Sequence, residues 1–124
     1  MRKQYHFRPS PKGVLAWDVD RLVALSAGFP RVPMPLTAVR ELDEPFWFSD
    51  GAAEATCRAI TEHARLIQAV DLNFPIILSS DNRVMDGMHR VAKALLLGHA
   101  TIEAVRFTTD PAPDFVGKGP DELP

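Results

Sequence analysis

Between Pro75 and Phe107 the chain spells out strand, strand, helix and strand with only turns between them. "FPIILSS" is short, apolar and β-branched, which is the composition of a strand buried on both faces. Asp81-Asn82 is a turn pair, and Arg83–Met85 then reads as a second short strand. From Met88 to Leu97 the residues Met88, Val91, Ala92, Leu95 and Leu96 recur at helical spacing as the buried face. Gly98 follows in the position that favours a left-handed cap. "ATIEAVRF" closes the segment as the last strand. This order predicts an α/β (α+β) domain: a small mixed sheet of about four strands with packed helices.

The rest of the chain attaches to that unit. Its 124 residues are the length of one ordinary domain. We divide them into a domain over residues 1–107, which begins with an irregular arm, and a tail over 108–124 rich in Pro, Gly and acid. Within the arm an extended piece is expected near Tyr5–Phe7, and Trp17 is expected to anchor packing. Asp18 is positioned as an N-cap, with Val19, Leu22, Val23 and Ser26 on one helical face. Gly28 and Pro30 stop that helix. Pro33 and Pro35 each remove a ladder donor, so an edge strand is expected near Leu36–Val39. "ELDEPFWFSDG" has no clean period and reads as a loop with aromatic anchors. From Ala53 to Val70 the pattern is helical, with Cys57, Ile60, Ala64, Ile67 and Val70 on the apolar stripe.

Composition narrows the setting. Hydrophobic residues make up 46% of the chain, enough for a core without disulfides or a structural metal. The one cysteine, Cys57, cannot form an internal disulfide and suits a reducing compartment. No signal peptide and no membrane-length apolar run is visible, so a cytoplasmic protein with no membrane partner is expected. The net charge of -2 supplies no basic field and argues against a nucleic-acid substrate.

The chemistry concentrates at Asp86-Gly87-Met88-His89-Arg90, where the second strand becomes the helix. A helix N-terminus offers unpaired N–H groups and partial positive charge, which together make an anion site. Gly87 allows a tight turn and close approach. His89 and Arg90 would add donors, and Lys93 is one turn after His89 on the same face. Asp86 could orient His89, ligate Mg²⁺ beside a phosphate, or accept a proton. The plainer alternative is Asp86 as the N-cap and His89 as a surface residue. Cations in the first turn nevertheless oppose the helix dipole, which is the physical argument for an anionic guest.

These residues carry a resemblance. "PIILSSDNRVMDGMHRVAKALLLGHATIEAVRF" resembles the core of the ParB/sulfiredoxin-like superfamily, with its apolar strand, hairpin, D-G-x-H-R turn, helix, glycine and final strand. The resemblance is loose over Pro35–Glu44 and absent from the arm and tail. It implies that Gly87, His89 and Arg90 hold a nucleotide's phosphates, with ATP, ADP or CTP as guest and Mg²⁺ as the accompanying ion; Met88 within the turn and Lys93 on the same helical face complete the expected binding set. Sulfiredoxins carry their reactive cysteine where this chain has Met88, and a thioether cannot act as a thiolate. Only 17 residues follow Phe107, too few for the DNA reader that follows this domain in chromosome-partition proteins. The free serine kinases of the superfamily have a D-G-H-H-R turn and a catalytic glutamate after the first core strand. That similarity points to Glu41, Asp43 or Glu44, of which Glu44 is preferred as catalytic residue together with Asp86. Those kinases also carry a second lobe, and no counterpart to it is expected in these 124 residues.

Other residues are read more plainly. Phe46 and Phe48 are expected to pack, and Trp47 either to pack or to stack on a ring. His63 has no second histidine at metal spacing, so a zinc site is not expected. Arg31 and Arg40 are expected to be exposed charges. The resulting expectation is a nucleotide-binding domain, with phosphoryl transfer or phosphate-ester hydrolysis if it is an enzyme. The alternative is a non-catalytic, nucleotide-sensing or protein-interaction regulator, and nuclease activity is a third, weaker reading. A homodimer and a separate protein partner both stay open.

Overall fold

The segment from Pro75 to Phe107 forms β4 (Ile76–Leu78), β5 (Val84–Asp86), α3 (Met88–Leu96) and β6 (Thr101–Arg106). The computed structural model describes residues 3–48 and 54–124. Ahead of this segment lie β1 (Tyr5–Arg8), β2 (Leu15–Asp18), α1 (Val19–Ser26), β3 (Val32–Pro35) and α2 (Cys57–Ala69), and after it comes β7 (Phe115–Val116). One sheet has four strands in the order β3-β6-β4-β5, and a second has three in the order β1-β2-β7. β4 runs antiparallel to β5 and parallel to β6, so the larger sheet is mixed and the fold is α+β. Among the described residues no helix is long and apolar enough to cross a membrane.

The alternation of a pleated strand explains the apolar run in β4. Ile76 and Leu78 join Val84, Ile102 and Ala104 on one face, packed against Met88, Val91 and Ala94 of α3. Ile77 joins Met85, Val105 and Phe107 on the other face, against Trp17 and Leu22. Both faces are covered, so β4 has no polar side to show. Trp17 is the packing anchor its position suggested, 3% exposed and donating from Nε1 to Pro111 O at 2.8 Å. Asp18 caps α1 as expected, accepting from Asp20 N at 2.9 Å.

Several local expectations shift. The edge strand is β3 itself, with both prolines inside it, and Leu36–Ala38 is a 3₁₀ turn. Leu36 N donates to Ala100 O at 3.0 Å. Alternation along the strand therefore turns the nitrogens of Pro33 and Pro35 away from β6, where no donor is needed. The buried face of α3 follows Met88, Val91 and Ala94, whereas Leu95 and Leu96 are 54% and 70% exposed. Small Ala94 lets the helix lie close to the sheet, and the bulkier leucines fall around the side. In α1, Val23 is exposed and Leu22 and Ser26 face inward.

α2 begins with Thr56 as its cap, the hydroxyl accepting from Ala59 N at 3.1 Å. None of its residues is fully buried. Its half-buried residues are Ala59, His63 and Ile67, whereas Cys57, Ile60 and Ala64 are exposed. The inward face is thus rotated from the apolar stripe and carries a histidine. Residues 49–51 of the expected loop and 53 at the expected helix start lie outside the described residues.

The arm and the tail are more ordered than their composition suggests. β1 and β2 form an antiparallel pair, and β7 adds to the other side of β2. Asp114 N donates to Ala16 O at 2.8 Å, and Arg21 Nη1 donates to Ala112 O at 2.8 Å. Docking onto the open edge of β2 supplies hydrogen bonds that a Pro- and Gly-rich segment cannot make within itself.

Candidate functional site

The turn into α3 is built on Gly87, at φ 106°. That left-handed conformation is strained for any residue with a Cβ. A Cβ here would also stand 2.8 Å from Ile76 Cγ2 and 2.8 Å from Arg90 Nη2. Gly87→Ala is expected to destabilise the domain by about 2 kcal/mol, measured by urea unfolding.

Gly87, not Asp86, occupies the N-cap position, and no side chain caps the helix. The first turn holds no acid. The first helical bond runs from Val91 N to Gly87 O at 3.0 Å. Helix geometry leaves the N–H groups of Met88, His89 and Arg90 without intrahelical acceptors. Gly87, Met88 and His89 line a cleft of about 720 Å³. Its other walls are β1 with the preceding Gln4, the segment Glu44–Trp47, and Arg83 with β5.

The expected site residues separate here. Asp86 pairs with Arg90 at 3.1 Å, one turn on, and Arg90 Nη2 also donates to Pro75 O at 3.2 Å. Arg90 is therefore directed along the strand and is not among the cleft's lining residues. Lys93 lies farther away, donating from Nζ to Gln68 O at 3.0 Å and Val70 O at 2.7 Å. There its charge meets the carbonyl end of α2, the favourable end of that dipole. Arg31 and Arg40 also bind backbone carbonyls, of Asn73 and Asp81.

The cation that does line the cleft is Arg83. Its guanidinium grips Glu44 through Nη1 at 3.0 Å and Nη2 at 2.5 Å. Its Nε lies 3.2 Å from Glu41 Oε2. The Arg83 hydrogen bond holds the Glu44 carboxyl below the usual carboxylate range. Glu41 is only 2% exposed and accepts from Val84 N at 2.7 Å, while its Oε1 is buried without a partner. The acidic segment thus contributes one structural carboxylate beneath the cleft and one at its wall.

Trp47 carries a feature that spacing does not show. The rings of His63 and His89 stack on its indole, with centroids 4.4 Å and 4.6 Å away and interplanar angles of 18° and 15°. The two imidazole centroids are 5.1 Å apart, too close to lie on opposite faces. Both rings therefore share one face, and His63 Nδ1 meets His89 Nε2 at 2.8 Å. Burial, aided by the neighbouring His63 and Arg90, holds the His89 pKa at about 4. Burial also lowers that of His63. Across the cleft, the His6 ring lies tilted beside Trp17, centroids 5.7 Å apart, with Nε2 buried and unpartnered. Burial and then the charges of Arg8 and Arg83 hold its pKa at about 4.

Sequence reasoning missed Arg83, His6 and the partnership of His63 with His89. Arg83 and Glu44 are separated by 39 residues, and His63 and His89 by 26, so no local spacing could join them. The one available signal was the Asp81-Asn82 turn, which sets Arg83 immediately before β5. Comparison with protein-family models, curated proteins and solved structures finds no match to this chain.

Proposed function

We propose that this domain binds a nucleotide through its phosphates, with the N-terminus of α3 as the anion cradle. The observation that carries this reading is the uncapped first turn, free of acids, opening into the cleft. Backbone N–H groups and the helix dipole favour an anion there. The ParB/sulfiredoxin-like resemblance of the D-G-x-H-R turn supports the same reading and suggests ATP, ADP or CTP. Arg83, which lines the cleft where Arg90 and Lys93 bind carbonyls elsewhere, is the side-chain cation of the proposed cradle, and it would exchange its pairing with Glu44 for the phosphate.

The carboxylates weigh on the choice between enzyme and binder. Asp86 is paired with Arg90 and Glu44 with Arg83, so neither is free to ligate Mg²⁺ or serve as a ready base. Any Mg²⁺ would then arrive on the nucleotide, not on a protein-held site. These pairings support a nucleotide-sensing regulator over a phosphoryl-transfer enzyme.

Isothermal titration with ATP, ADP and CTP, each with Mg²⁺, tests the proposal. One of the three is expected to bind one-to-one. Arg83→Gln is expected to weaken that binding about tenfold or more, as loss of a charge-assisted bond does. Absence of binding by all three removes the nucleotide reading. Product formation by the wild-type protein, lost in Glu44→Gln, would restore the enzyme reading.

A further inference from the structure

We propose that His63 and His89 form a binding site for a divalent transition-metal ion of the zinc, nickel or copper class. The inference does not depend on the phosphate reading. It starts from the convergence of His63 Nδ1 and His89 Nε2 to 2.8 Å, from α2 and α3 respectively. Two imidazole nitrogens on one zinc lie about 2.0–2.1 Å from the ion, and so about 3.3 Å from each other at a tetrahedral angle. To admit an ion the rings must part by about half an ångström and turn within their stacked planes, so that both lone pairs converge on it.

Three further features favour uptake. Both rings are stacked on Trp47, which fixes their planes before any ion arrives. A site whose ligands are already oriented loses less entropy on binding. Both imidazoles are half-buried and not sealed, so an ion has access. Burial lowers the pKa of both imidazoles, to about 4 for His89, which favours the neutral form that coordinates a metal.

The protons balance without a net release. In the hydrogen-bonded pair, one ring carries its N–H between the two nitrogens and the other accepts it. Coordination at both nitrogens moves that proton, through water, to the far nitrogen of the donor ring. Each imidazole stays neutral and binds through a lone pair. Among the described residues no group of three or more His, Cys, Asp or Glu surrounds an ion position. Two protein ligands therefore leave the remaining positions to water. Imidazole pairs of this kind select zinc, nickel and copper over magnesium or calcium.

Equilibrium dialysis with Zn²⁺ and the intact chain tests this directly. One zinc per chain is expected, and His63→Gln and His89→Gln should each reduce affinity about tenfold or more. His99→Gln, which alters an exposed residue past the end of α3, should leave uptake unchanged. Two wild-type readouts do not depend on the variants folding. Cu²⁺ should quench the tryptophan fluorescence of the wild-type protein, because both rings stack on Trp47. Zn²⁺ should move the ring resonances of His63 and His89 together. No stoichiometric zinc at millimolar metal overturns the proposal, as does uptake that His63→Gln leaves intact. A zinc-induced shift confined to His6 or His99 also overturns it and assigns an adventitious surface ion.

Discussion

Glu41→Ala is expected to destabilise the domain by about 3–5 kcal/mol, read as a lowered urea midpoint with the unfolding slope unchanged. Glu41 is 2% exposed, in the 3₁₀ turn Arg40–Asp43, and its Oε2 serves two donors. One is the backbone N–H of Val84 at 2.7 Å, at the start of an edge strand. The other is Nε of Arg83 at 3.2 Å. Truncation leaves a buried N–H and part of a guanidinium unsatisfied, and the desolvation cost of such orphans exceeds the worth of the bonds themselves. Glu41→Gln keeps an acceptor for Val84 and should cost less than half as much. Equal losses for the two variants would show that the bulk of the side chain, not its hydrogen bonding, matters. The same substitutions at Glu44, on the exposed side of Arg83, should change stability far less.

The second large effect is a fall in stability below neutral pH, traceable to His6. An unfolded histidine protonates near pH 6.5, whereas His6 in the fold does so only near pH 4. Between those values the unfolded chain binds more protons than the native one, so stability drops as pH falls. The contribution is fully present above pH 6.5 and is lost on going down to about pH 4. Discounted for partial exposure, it is about 2–3 kcal/mol. The cause is specific: the ring is packed beside Trp17 at 5.7 Å, and Arg8 and Arg83 repel a second positive charge. His6→Phe keeps the packing and removes the titration. Denaturant midpoints for the two proteins, measured from pH 7.5 to 4, should diverge from about pH 6.5 downward. Parallel curves would refute the assignment.

How much of this was readable beforehand depends on the range of the interaction. The strand-turn-strand-helix-strand order from Pro75 to Phe107 follows from local periodicity and turn residues, and each element appears where its pattern puts it within a residue or two. The prolines of β3 mark it as an edge, and they sit inside the strand because their nitrogens face outward. The arm and tail look irregular in sequence because Pro and Gly weaken local preference. Their pairing through β2 is a contact between segments about a hundred residues apart in the chain, and local preference carries no trace of it.

The site divides in the same way. Gly87 was legible, since a tight turn into a helix without an N-capping side chain favours glycine, and the sequence places one there. The uncapped N-terminus of α3 is legible for the same reason. The destinations of Arg90 and Lys93 were not. A long cationic side chain can reach in several directions, and the nearest unsatisfied carbonyls decide among them. Those carbonyls belong to Pro75, Gln68 and Val70, whose positions depend on how α2 and β4 lie against α3. No partner stands near His63 in sequence, yet tertiary packing on Trp47 supplies His89.

The sequence by itself thus determined the core unit, the mixed α+β class and the open helix end, because backbone hydrogen bonding and side-chain periodicity act over a few residues. Only the tertiary structure decided which charges face the cleft, that Glu41 is buried while Glu44 is not, and that two histidines meet on one tryptophan. Those outcomes come from packing and desolvation among distant segments, where the energy of a side chain depends on neighbours that the chain brings together only when it folds.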